Sequence, residues 1–216
     1  MMWQTAQQLR ARILRTKLIT SRLKLMILAA LLLLSGCISM PQSHLVTMAP
    51  NVILQLTAPP KTLQMQEKTQ LIEAQFDGEI QSLLAQVEFT ESQIKLVAMT
   101  PSGIPLFDVL WSVADDAVIN QYVPVPGLDI SYVIADLQWV NWPFAQLQQA
   151  TNGVFTETFK SGTQNGTGLS TADWTRTLTQ DDQVILTVEK FDNRYILKHL
   201  LRDYQITITE LSKVSL

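Results

Sequence analysis

Apolar and polar residues alternate with period two through most of the chain from position 69 onward, and the period becomes helical only once. In Thr69–Phe76 the apolar set is Ile72, Ala74 and Phe76, and in Gln81–Phe89 it is Leu83, Ala85, Val87 and Phe89. Asp77-Gly78 between them is a two-residue hairpin signal. Ile94, Leu96 and Ala98 line a third strand after the polar stretch Thr90–Gln93. Phe107, Val109, Trp111 and Val113 line a fourth after Pro101-Ser102-Gly103, and Asp115-Asp116 turns the chain into a fifth, Ala117–Tyr122. Alternating segments at such even spacing predict an antiparallel sheet.

The period then switches. Ile130, Val133, Ile134 and Leu137 recur at i, i+3, i+4 and i+7, which predicts an amphipathic helix capped by Asp129. Trp142-Pro143 ends it, a second short helix runs through Phe144 and Leu147, and Asn152-Gly153 closes the insert. Strands are predicted again at Val154–Lys160, Trp174–Leu178, Val184–Phe191, Tyr195–Leu201 and Tyr204–Glu210. The glycine-bearing stretch Ser161–Ser170 reads as a flexible loop. The predicted class is α+β: a curved antiparallel sheet forming an incomplete β-barrel with a helical insert. Its concave face holds either packed side chains or an apolar ligand.

The first 36 residues follow another pattern. Arg10, Arg12, Arg15, Lys17, Arg22 and Lys24 precede the apolar run Leu25–Leu34, and no acidic residue occurs before Cys37, the only cysteine. A basic region, a short apolar region and small boundary residues read as a cleaved secretory signal, too short to span a bilayer. Leu34-Ser35-Gly36-Cys37 resembles the lipobox of bacterial lipoprotein precursors. The resemblance implies cleavage before Cys37, with diacylglycerol and an N-acyl chain carried on that residue. The expected organisation is a signal peptide over 1–36, a lipidated N-terminus and proline-rich tether over 37–60 with a short strand at Val52-Ile53-Leu54, and one domain over 61–216.

Cleavage changes the charge. All 19 acids remain but only ten of the 16 lysines and arginines, a net charge near −9. An acidic body excludes nucleic acid as a partner class, since that needs a basic patch. Membrane attachment therefore rests on the lipid. Residue 38 is Ile and not Asp, which by the lipoprotein sorting pattern implies the periplasmic face of the outer membrane.

No catalytic motif accompanies this address. There is no Gly-x-Ser-x-Gly elbow, phosphate-cradling glycine loop or His-Glu-x-x-His. His44 falls in the tether and His199 reads as a surface or rim residue. Asp115-Asp116 and Asp181-Asp182 read as solvated turns, and Asn165-Gly166-Thr167 as a glycine turn. No metal or cofactor is expected beyond the lipid on Cys37. The indoles are numerous, and Phe107, Val109, Trp111, Ile134, Leu137, Trp142 and Trp174 are candidates to line either a core or an apolar cavity.

Three features carry a resemblance: Leu83-Leu84-Ala85-Gln86, Thr100-Pro101-x-Gly103 before an apolar strand, and Ala135-Asp136-Leu137-Gln138 leading to Trp142-Pro143. Together they resemble an uncharacterised (DUF3261-like) proteobacterial lipoprotein family that accompanies aryl-polyene and fatty-acid-type biosynthesis genes. More distantly the layout is similar to the lipoprotein carriers LolA and LolB, half-barrels whose apolar cavity takes up acyl chains. In LolB the turn aligned with Pro101, Ser102, Gly103 and Ile104 carries a membrane-inserting leucine. Ser102 stands there, and forgoes the roughly 1.5–3 kcal/mol a buried leucine supplies. The resemblance implies a non-enzymatic lipoprotein that binds or transfers an acylated or polyene lipid, exchanging it with a periplasmic carrier protein. The alternative is an adaptor at the outer membrane that contacts a protein through the sheet edge or the 161–170 loop.

Overall fold

The computed structural model describes residues 44–76, 78–115, 117–125, 127–159 and 173–211. The predicted signal segment, Cys37 and the 161–170 loop lie outside the described residues.

A β-hairpin opens the chain, with β1 at Leu45–Ala49 and β2 at Val52–Gln55. Five strands follow: β3 Gln66–Phe76, β4 Glu79–Phe89, β5 Gln93–Met99, β6 Pro105–Ser112 and β7 Val118–Gln121. Two helices come next, α1 at Ile130–Asn141 and α2 at Phe144–Ala150. The chain ends in β8 Val154–Phe159, β9 Trp174–Gln180, β10 Gln183–Phe191, β11 Arg194–His199 and β12 Tyr204–Leu211.

Apart from the hairpin, these strands form one antiparallel sheet in the order β7-β6-β5-β4-β3-β12-β11-β10-β9-β8. Each half is a meander of sequential strands. Gly78 turns β3 into β4 at φ 80°. Asp181 and Asp182 turn β9 into β10 at φ 48° and 63°, the left-handed pair that a two-residue hairpin turn requires. The meanders join where β12 pairs β3 from Tyr204↔Phe76 to Leu211↔Thr69. The sheet is therefore open, with β7 and β8 as its edges. The helical insert runs between those edges, so one connection of two helices links the outermost strands of both meanders.

The insert forms for local reasons. The Asp129 carboxylate accepts the Ser131 N–H at 3.0 Å and starts α1. Trp142 ends it, its N–H returning to the Gln138 carbonyl at 2.9 Å, and Pro143 holds the preceding residue out of helical conformation. The inward faces of the strands meet this insert in one core: Ala85, Val87 and Phe89 on β4, Phe107, Val109 and Trp111 on β6, Leu186 and Val188 on β10. Each large apolar side chain so buried contributes about 1.5–3 kcal/mol.

Two expectations differ from the structure. Residues 44–60, read as tether, carry a hairpin that the core requires. Val46, Met48, Val52, Leu54 and Leu56 are buried, and Pro50-Asn51, with Asn51 at φ 65°, makes the turn. His199, read as a rim residue, is fully buried because β11 alternates inward through Tyr195, Leu197 and His199.

Candidate functional site

The inward face of the sheet is covered by one polar-stitched unit made of β1, β2, the segment 56–58, α1 and α2. Thr57 is its hub. The Thr57 N–H donates to Gln138 Oε1 at 3.1 Å, and Gln138 Nε2 returns to the Thr57 carbonyl at 3.0 Å. Thr57 Oγ1 accepts from Trp142 Nε1 and Gln146 Nε2, both at 2.9 Å. Tyr132 donates its O–H to the Thr47 carbonyl, and Thr151 donates to the Ile53 carbonyl. These bonds join elements some 80 to 100 residues apart without using the large sheet.

Contact between this cover and the sheet is chiefly apolar. Among the described residues three polar links cross the boundary. Tyr204 donates its hydroxyl to Asp136 at 2.9 Å, Lys68 donates to Asn141 Oδ1 at 2.8 Å, and Arg176 Nη1 donates to the carbonyls of Trp139 and Trp142 at 3.0 and 2.9 Å. The last link places a cation at the C-terminus of α1, where the helix dipole is negative. A cation–π contact adds to them, Arg202 lying 3.4 Å from the centre of the Tyr132 ring.

Electrostatics concentrate at those links. Burial pushes the Asp136 carboxyl up to about 7, against the Tyr204 hydroxyl and the Arg202 charge, which favour its ionised form. Tyr204 is held well above its ordinary range by burial and by that carboxylate. Burial and Arg202 push His199 down to about 4, so its imidazole is neutral near pH 7. Its ring lies 5.4 Å from that of Tyr204. Among the described residues neither ring nitrogen has a side-chain hydrogen-bond partner, the backbones of His199 itself and of Met48 being its polar neighbours, so no side chain orients it as a general base. Arg176 is lowered by burial, an effect Glu157 opposes with an ion pair at 2.7 Å.

Two polar recesses occur among the described residues. One, of about 400 Å³, lies by the β11–β12 turn and is lined by Gln75, Lys198, Asp203 and Gln205 among others. The second, of about 210 Å³, lies beyond the end of α1 among Lys68, Asn141, Trp174, Arg176, Lys190 and Tyr195. Burial and Glu210 push the Tyr195 hydroxyl up to about 12. Among the described residues no group of His, Cys, Asp and Glu side chains is placed to hold a metal ion, and no helix is long and apolar enough to cross a membrane.

Of the residues singled out in the sequence, Phe107, Val109, Trp111, Ile134, Leu137 and Trp142 belong to one buried cluster between sheet and cover. Trp174 is partly buried at its margin, with the Arg176 guanidinium 4.0 Å from its ring centre. Pro101, Ser102, Gly103 and Ile104 form the exposed β5–β6 turn, closed by a 2.8 Å bond between the Thr100 and Ser102 hydroxyls. Sequence reasoning passed over Thr57, Asp136, Arg176 and Tyr204. An aspartate and a glutamine on the apolar stretch of a helix were the available signal: Asp136 and Gln138 are buried among Ile134, Leu137 and Trp139.

The model of the family described as Protein of unknown function (DUF3261) covers residues 67–212, from β3 to the end of β12. No curated protein matches the chain.

Proposed function

This chain belongs to the DUF3261 family of proteins of unknown function, and on that premise we propose that it is a lipid-anchored, non-enzymatic carrier for an acylated or polyene lipid. Cys37 carries the anchor, at the periplasmic face of the outer membrane, and the sheet with its cover is a half-barrel of the LolA and LolB kind. The observation that supports this reading is the construction of the cover. Many of its polar bonds are made within itself, so moving it as a body breaks few polar links to the sheet, at Asp136, Asn141 and the Trp139 and Trp142 carbonyls, and otherwise exposes apolar surface on both sides. An acyl chain can replace the apolar contacts, which have no hydrogen bonds of their own to lose.

The energetics suit a carrier. Full burial of a C16 chain has an upper limit near 13 kcal/mol at about 0.8 kcal/mol per methylene. Because the chain displaces cover contacts of similar value, the net affinity is far smaller and release is possible. The test is titration of the mature chain, lacking the acylated cysteine, with a fluorescent fatty acid. Saturable uptake is expected, accompanied by faster amide exchange in α1 and the hairpin. Failure to take up the probe, or uptake with the cover unmoved, overturns the reading.

The adaptor alternative rests on a different observation. Phe76, Ile80, Ile104, Leu200 and Leu201 are exposed on the β3–β4, β5–β6 and β11–β12 turns, at one end of the sheet. Cys37 and His44 are seven positions apart. Fully extended chain over that interval reaches roughly 25 Å. His44 lies against Trp111 at the other end of the sheet. These turns thus lie at the end of the sheet opposite His44, where a protein partner would meet them. Crosslinking from Ile80 to one abundant protein, with no lipid recovered, favours the adaptor.

A further inference from the structure

The smaller recess gathers cations in an otherwise acidic protein. Lys68 lies near the start of β3, Trp174 opens β9, and Lys190 near the end of β10 is paired with both Trp174 and Tyr195. They meet past the C-terminus of α1, at the same end of the sheet as His44. The Trp174 and Tyr195 rings are 6.1 Å apart and form one wall.

A count of donors shows what the recess lacks. Lys68 Nζ donates to Asn141 at 2.8 Å and to Glu210 at 2.6 Å. That leaves one proton of its three. Arg176 uses Nε on Glu157 and Nη1 on two carbonyls, which leaves the protons of Nη2. Among the described residues the Lys190 ammonium has no ion-pair or hydrogen-bond partner. Three cations thus face two carboxylates, Glu157 and Glu210, so the recess holds a net positive charge while the whole chain is at −3.

We infer that this recess binds the phosphate group of a phosphoester, held by Lys190, the spare proton of Lys68 and Nη2 of Arg176, with Trp174 and Tyr195 against its organic substituent. The donors come from three strands and approach from different directions. That suits the several equivalent oxygens of a phosphate better than the two in-plane oxygens of a carboxylate. The volume of about 210 Å³ admits such a group with its first ester carbons. The site goes beyond the acyl-chain reading and does not depend on it. The same chemistry arises from a phospholipid headgroup or from a free phosphoester.

The test is calorimetric titration of the full chain in non-ionic micelles with inorganic phosphate, glycerol 3-phosphate and short-chain phosphatidylglycerol, at constant ionic strength. Saturable binding is expected, weakened by added sodium chloride. Lys190→Gln should lower affinity about tenfold or more and leave the denaturation midpoint unchanged, since the Lys190 ammonium has no partner among the described residues to lose. Lys95→Gln, on the outward face of β5, should leave affinity unaltered. Tighter binding of phosphatidylglycerol than of glycerol 3-phosphate identifies a headgroup site, and the reverse a free phosphoester. Absence of saturable binding by all three probes, or equal affinity in the Lys190→Gln variant, overturns the proposal. Either result is separate from fatty-acid uptake, which is read with a probe that carries no phosphate and by exchange in the cover.

Discussion

Asp136 and His199 are buried ionisable residues joined through Tyr204, and their shifts oppose one another. A carboxyl raised to about 7 binds protons in the folded state that it has lost in the unfolded chain. Its stabilisation is complete below about pH 4 and is lost as pH rises toward 7. A histidine lowered to about 4 behaves inversely, since the unfolded chain binds the proton first, so its contribution grows from about pH 4 to 6.5. Each slope is at most about 1.4 kcal/mol per pH unit, and over their shared window they nearly cancel. Asp136→Asn should therefore gain on the parent protein as pH rises from 4 to 7, by about 4 kcal/mol at the limit. His199→Gln should exceed the parent most at pH 4 and lose that advantage by pH 6.5. Urea denaturation across this range checks both, and variant-to-parent differences that do not change with pH contradict the assignment.

At the scale of elements, the hairpin and helices are held as one body by a residue in neither. Thr57 presents its N–H, carbonyl and hydroxyl to three side chains of the insert. Thr57→Val keeps the shape but strands Trp142 Nε1, and Trp142 is fully buried, while Gln146 Nε2 keeps the Ala58 carbonyl at 3.3 Å. An unpaired buried donor costs about 1–3 kcal/mol, so this variant should lose stability of that order in chemical denaturation, while Thr57→Ser should retain most of it. Gly153 is a second constraint on the same junction. A Cβ there would stand 2.7 Å from Leu178 Cδ1 and 3.1 Å from Val52 Cγ1. Gly153→Ala should therefore destabilise the protein by about 1–3 kcal/mol through overpacking where α2 leads into β8.

The whole molecule combines a continuous backbone ladder with a cover attached mainly by side chains. β3 and β4 pair over eleven residues, and β3 and β12 over eight. Among the described residues the hairpin pairs only with itself and through one bridge, Leu54↔Thr151. Opening the sheet centre breaks many cooperative bonds, whereas lifting the cover breaks few. Hydrogen exchange should thus be slowest in β3, β4 and β12 and measurably faster in β1, β2 and α1. Equal protection in both sets would mean that the cover opens only with global unfolding, and would remove the mechanical basis of the carrier reading.

Local features of this chain were legible in its sequence because their causes are local. Alternation placed the strands from β3 onward, the i, i+3, i+4, i+7 spacing placed α1, and Asp129, Trp142-Pro143, Asp77-Gly78 and Asp181-Asp182 marked ends and turns within a residue or two. The apolar set Phe107, Val109, Trp111, Ile134, Leu137 and Trp142 was equally visible, since burial follows the same periods. The tertiary structure decided what depends on distant partners. It joined the meanders through β3 and β12, drew the hairpin over 45–55 into the core, and buried His199 on the inward face of β11. It also brought Lys68, Arg176 and Lys190 to one recess. Those three cations stand up to 122 positions apart in strands whose alternation is the same with or without a ligand. Periodicity tells each side chain which face it takes; only the strand order tells it which neighbours share that face.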